Sequence, residues 1–116
     1  MSIRVLVCGG RDYTDEDKVF EVLDTVHQGE FISTILHGAA KGADTLANRW
    51  ALINKVYIES YPADWSLGKK AGPIRNKQML EDGEPDLVVA FPGGKGTANM
   101  VKLAQEAGVE VMEIKP

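Results

Sequence analysis

Three short segments hold most of the residues able to do chemistry. They are Cys8-Gly9-Gly10-Arg11-Asp12, His37-Gly38-Ala39-Ala40-Lys41-Gly42-Ala43-Asp44 and Phe91-Pro92-Gly93-Gly94-Lys95-Gly96-Thr97. Seven of the 12 glycines lie in them: Gly9, Gly10, Gly38, Gly42, Gly93, Gly94 and Gly96. Glycine lets backbone approach a ligand closely and adopts φ > 0 without a steric penalty. A Gly-rich turn feeding a helix leaves free N–H groups at the positive end of the helix dipole, a ready site for a phosphate. Tight strand-to-helix turns need glycine in any case, so one such turn says little. Three in one chain say more. Neither GxGxxG nor GxxxxGK[ST] occurs, which disfavours a standard dinucleotide fold and a P-loop NTPase.

The cations add an independent argument. Arg11, Lys41, Arg75 and Lys95 are expected at or just before helix N-termini. Gly72-Pro73 is expected to open the third helix, since proline suits the first helical position, which puts Arg75 in the first turn. A cation there opposes the helix dipole by about 0.3–1 kcal/mol. The chain nevertheless carries a net charge of -4. Four such placements call for a compensating anion, read here as a phosphate-bearing ligand. The alternative is that they are solvated, or paired with Asp12, Asp44 or Asp64.

Other residues divide between structure and chemistry. Asp44, at the start of the second helix, is read first as a cap for free N–H groups and second as a catalytic group. Thr14 with Asp17 has the spacing of a capping box. Thr97 suits a helix cap or a phosphate donor. His37 is read first as structural and second as a ligand contact, and Trp50 as core. Trp65 and Tyr13 either stack on a base or pin their loops. Asn76 either bonds a ribose or base, or stays solvated.

The elements that must position these groups follow from periodicity. Apolar runs at 3–8, 32–37, 56–61, 86–91 and 109–114 read as strands. Helical spacing appears at 15–28, 43–54, 72–82 and 97–107. Alternating strands and helices imply an α/β fold: a three-layer, doubly wound parallel sheet of about five strands and four helices. VLVC and LVVAF are continuous apolar runs, as for strands covered on both faces. VEVMEI alternates and suits an edge. The longest irregular stretch, 62–71, is a candidate functional loop. In such folds ligands bind outside the carboxyl ends of the strands, where strand order reverses.

Composition sets the limits. The chain has 116 residues, 44% hydrophobic and 26% charged, as expected of one domain over 1–116. Its acidic balance disfavours a duplex-DNA binder, and it lacks the extended basic stripe of a single-strand binder. No apolar run approaches the ~20 residues of a membrane span. The opening residues lack a signal-peptide pattern. The single cysteine, Cys8, excludes an internal disulfide and a multi-cysteine zinc site. A cytoplasmic protein with no metal and no cofactor is expected. Its expected partner is a phosphate-bearing small molecule. A homo-oligomer is compatible with the sequence, but no stripe identifies an interface.

GGRDYTD at 9–15, HGAAKGAD at 37–44, YPADW at 61–65, AGPIRNKQM at 71–79 and FPGGKGTANM at 91–100 together resemble the YspA-like family of the SLOG superfamily. That superfamily also includes the LOG phosphoribohydrolases and the DprA/Smf proteins. The resemblance covers almost the whole chain in order. It implies a Rossmann-like fold and a nucleotide or nucleotide-derived ligand, bound by a sensor or binding module. LOG-type hydrolases carry PGGxGTxxE with an upstream arginine. Here Pro92-Gly93-Gly94-Lys95-Gly96-Thr97 is followed by Met100 where their catalytic glutamate stands, and Arg75 resembles their arginine. The resemblance thus implies a retained phosphate half, with backbone amides of Gly93, Gly94, Gly96 and Thr97 on the phosphate and Arg75 and Arg11 neutralising it. Hydrolysis of an N-glycosidic bond is the alternative, and DprA-like single-strand binding a further one. Hydrolysis would need another carboxylate, such as Asp12, Asp44 or Glu81, in place of the lost acid.

Overall fold

The computed structural model describes residues 2–116. Its elements are β1 (Ser2–Cys8), α1 (Glu16–Gly29), β2 (Phe31–His37), α2 (Ala43–Asn54), β3 (Tyr57–Ser60), a 3-10 helix (Trp65–Lys70), α3 (Ala71–Gly83), β4 (Leu87–Ala90), α4 (Lys95–Glu106) and β5 (Glu110–Glu113). All strand pairs are parallel and the order is β3-β2-β1-β4-β5. The chain winds one way from β1 to β3, then returns to the other side of β1. Order therefore reverses between β1 and β4.

The unbroken apolar runs follow from this layering. In β1, Val5 and Val7 pack with Val19, Leu23 and Trp50 of α1 and α2, whereas Leu6 and Cys8 pack with Met79 and Met100 of α3 and α4. In β4, Leu87 and Val89 serve the first core, and Val88 and Ala90 the second. A strand covered on both faces needs apolar side chains at every position. β5 alternates because it is an edge. Among the described residues no helix is long and apolar enough to cross a membrane.

Four local expectations are corrected. α1 is capped by Asp15, whose carboxylate accepts from the Lys18 N–H (3.0 Å), not by Thr14. A carboxylate one residue later reaches the same free amides and leaves Thr14 exposed. Stretch 62–71 is not irregular throughout: its 3-10 helix runs into α3 at Ala71, with a left-handed kink at Gly68 (φ 71°). Pro73 is therefore the third residue of α3, and Arg75 begins its second turn. Arg11 lies well before Glu16, the first residue of α1. The dipole argument thus applies to Lys95 and Lys41, while Arg11 and Arg75 must reach a ligand through their side chains.

The two tryptophans have opposite environments. Trp50 is fully buried and donates its indole N–H to Asp24 (2.8 Å), whereas Trp65 is 55% exposed. Trp50→Ala is expected to cost about 3–5 kcal/mol through the cavity it leaves. Trp65→Ala is expected to stay within about 0.5 kcal/mol of wild type. Urea denaturation of the two variants checks both values.

Candidate functional site

The loops at the carboxyl ends of β1, β2 and β4 interlock through glycine. The Gly10 N–H donates to the Pro92 carbonyl (2.9 Å), and the Gly10 carbonyl accepts from the N–H groups of Ala43 (3.2 Å) and Tyr13 (3.2 Å). A Cβ on Gly9 would stand 2.6 Å from the Ala43 Cβ and 3.0 Å from the Phe91 Cβ. One on Gly93 would stand 2.7 Å from the Gly10 amide, and one on Gly42 (φ 76°) would collide with the Gly10 carbonyl. These glycines bring loop against loop. Gly72, Gly94 and Gly96 differ, because a Cβ there meets nothing within 4 Å.

Beside this junction lies a cleft of about 470 Å³, at the β1/β4 reversal. Its buried wall is Val7, Cys8, Met79 and Met100. Its exposed wall includes Arg11, Trp65, Lys69, Gly94, Lys95 and Gly96. Arg75, Asn76, Thr97, Asn99 and Asp44 supply further polar groups. Four cationic side chains (Arg11, Lys69, Arg75 and Lys95) thus face one carboxylate, Asp44. α4 begins at Lys95 with Gly94 as cap residue and no side-chain cap, so its first amides lack a side-chain partner where this turn lines the cleft.

Arg75 is held from two sides. Its Nη1 donates to the carbonyls of Gly38 (2.5 Å) and Tyr61 (3.4 Å), and its Nε to Asn76 Oδ1 (3.0 Å). The close approach of guanidinium to backbone explains Gly38, where a Cβ would strike Arg75. Burial pulls the Arg75 pKa down; the Asp44 carboxylate opposes this, and Arg11 adds to the fall. Asn76 is buried rather than solvated, donating to the Gly96 carbonyl (3.3 Å) and Asn99 Oδ1 (3.0 Å) and so tying α3 to the start of α4.

Asp44 does not cap its own helix. Its Oδ2 accepts from the N–H groups of Gly38 (2.9 Å) and Ala40 (3.2 Å), fixing the loop before α2. Burial raises its pKa, and the amide bonds to Ala40 and Gly38 and the nearby Arg75 only partly offset this. His37 is structural: its Nδ1 accepts from the Ala39 N–H (2.9 Å), so the neutral ring donates from Nε2 to Asn48 Oδ1 (2.8 Å). Burial, with lesser contributions from Asp44 and Glu113, pushes the Cys8 thiol up to about 12.

The structure gathers Gly9, Gly10, Arg11, Gly38, Asp44, Arg75, Asn76, Gly94, Lys95, Gly96 and Thr97 around the one cleft. It leaves Lys41 exposed elsewhere, sets Gly42 and Gly93 against the Gly9–Arg11 loop, and uses the Pro92 carbonyl to hold Gly10. Asp12 and Glu81 are exposed and do not line the cleft. Tyr13 pins its loop, packing on Phe91 with ring centroids 5.5 Å apart. Sequence reasoning missed Lys69, Asn99 and the stacking of Arg11 on Trp65. Membership of the long loop is the only sequence signal for Lys69. Among the described residues no three His, Cys, Asp or Glu side chains converge to hold a metal.

A profile described as the YspA, cpYpsA-related SLOG family matches residues 3–68. The Gene 61 protein of Mycobacterium phage D29 is similar at 39% identity, with 94% of each chain covered. The C-terminal domain of the PF1911 hydrogenase from Pyrococcus furiosus is similar in fold, with TM-score 0.58 and 19% identity over 96% of this chain and 90% of that one.

Two titrations follow. The Asp44 carboxyl carbon should titrate above the ordinary aspartate range by NMR. Because the folded value is raised, the stability Asp44 contributes is full below the unfolded value and lost as pH rises through the folded one; Asp44→Ala should remove that dependence. Cys8 should resist alkylation at neutral pH in the native protein and react on unfolding, since the thiolate is the nucleophile. Mass spectrometry reads that difference.

Proposed function

The chain belongs to the YspA, cpYpsA-related SLOG family, and from that premise we propose that it binds a nucleotide or nucleotide-derived ligand through its phosphate. One observation carries this: the uncapped start of α4, with Gly94 and Gly96 open to space, lines the same cleft as the half-buried Arg75 guanidinium. Among the described residues Arg75 has no carboxylate at ion-pair distance. Free amides, the dipole and a cation in a fixed fork are complementary to a phosphate. Lys95, Arg11 and Lys69 add charge that draws such an anion in. Thr97, at the edge of the same turn, has a hydroxyl to offer it.

The role is that of a binding module or sensor rather than a hydrolase. Met100 stands where the resemblance places the catalytic acid, and it lines the buried wall, joined to the core. A thioether supplies neither charge nor a proton. Asp44, the carboxylate that does line the cleft, spends one oxygen on two backbone amides.

A Cβ at Gly96 meets nothing within 4 Å, so Gly96→Leu starts its side chain in open space. It is expected to keep wild-type stability and to weaken AMP at least about tenfold, since a ligand phosphate and the leucine claim one volume. Arg75→Lys keeps the charge but loses the planar fork, and should weaken AMP by a similar factor. Calorimetry measures both. Unchanged affinity in Gly96→Leu would remove the phosphate from the start of α4. Proton NMR followed over hours should show no free adenine; its release, abolished in Asp44→Ala, would establish hydrolysis instead.

A further inference from the structure

Trp65 occupies the cleft wall without serving the core. It is 55% exposed, and no residue of its 3-10 helix is buried. The segment is anchored without the indole: Asp64 Oδ1 accepts from the Ser66 N–H (3.1 Å) and hydroxyl (2.5 Å), the Asp64 carbonyl from the Leu67 N–H (3.0 Å), and the His37 carbonyl from the Tyr61 N–H (2.9 Å). What touches the indole is the Arg11 guanidinium, 4.8 Å from the ring centroid and arriving from the loop after β1. An exposed contact of this kind is a weak stabiliser, but it orients both groups. An indole held at a cleft wall and left open to solvent is what base stacking requires.

The size of the cleft points the same way. Its volume, about 470 Å³, far exceeds the roughly 30 Å³ share of one water and lies in the range of small-molecule sites. The start of α4 accounts for an anion only. The remaining wall is apolar at Val7, Met79 and Met100. Resting on the phosphate reading above, we propose that Trp65, oriented by Arg11, is the stacking platform for an aromatic base covalently joined to that phosphate. The ligand class is then a nucleotide carrying its base, and neither a sugar phosphate nor an inorganic anion.

Calorimetry of wild type, Trp65→Ala and Trp65→Phe with AMP and with ribose 5-phosphate tests this. Wild type should prefer AMP. Trp65→Ala should lose about tenfold for AMP and nothing for ribose 5-phosphate, within the range of one base stacked on an aromatic side chain. Trp65→Phe should recover most of the loss, because a phenyl ring also offers a π-face. Equal losses for both ligands in Trp65→Ala would overturn the proposal, making Trp65 a loop support. Equal wild-type affinities for the two ligands, or no loss of AMP in Trp65→Ala, would overturn it as well, while leaving the phosphate site standing. Binding of neither ligand to wild type would overturn the phosphate reading and this proposal with it.

Discussion

The backbone of Gly10 is where three loops meet. Its amide holds the turn after β4, its carbonyl holds the first residue of α2, and the same carbonyl closes the turn to Tyr13. No side chain separates the loops there, because a Cβ on Gly9, Gly42 or Gly93 would enter a neighbouring backbone or side chain. The contact is therefore one of main chain against main chain, and its geometry follows from the parallel register of β1 and β4. Everything at the cleft depends on it. The start of α4, the loop held by Asp44 and the rim carrying Arg11 are placed relative to one another by these hydrogen bonds.

The electrostatics of the cleft run against those of the whole chain. The protein is acidic, yet four cations line the cleft and a single carboxylate answers them. That carboxylate is turned toward amides, where it shapes the loop that carries the Gly38 carbonyl to Arg75. Arg75 in turn is partly desolvated and sits near a second guanidinium, so both burial and like charge act against its ionised form. Among the described residues no carboxylate stands at ion-pair distance from it.

Much of this was legible in the residues. The switch between period-two and helical spacing located all five strands and four α-helices, because two apolar layers impose their pattern on each element. The rule that parallel sheets bind ligands at their carboxyl ends pointed to the turn holding Gly94, Lys95 and Gly96, and the expected helix start near Pro73 pointed to Arg75; all four line the cleft. The division of glycines was not. Whether Gly93 faces a ligand or the next loop depends on how closely β1 and β4 bring their ends together, which is a tertiary distance. The same holds for Asp44, whose spacing suits a helix cap but whose oxygen turns back to Gly38 and Ala40. The 3-10 helix at Trp65–Lys70 has no periodicity to betray it, and a left-handed kink at Gly68 interrupts it just before α3.

The pairing of β1 with β4 sets Val5 opposite Leu87, joining the two most distant arms of the winding. Closing so long a loop is the entropically expensive step in assembling the sheet. The cleft lies across that joint, with Gly9 and Arg11 on one lip and Gly94 to Thr97 on the other. A molecule seated in it would act as a removable clasp between the two halves. Its binding free energy would add to the cohesion of the pairing that local sequence does least to secure, so that occupancy and the integrity of the whole fold rise and fall together.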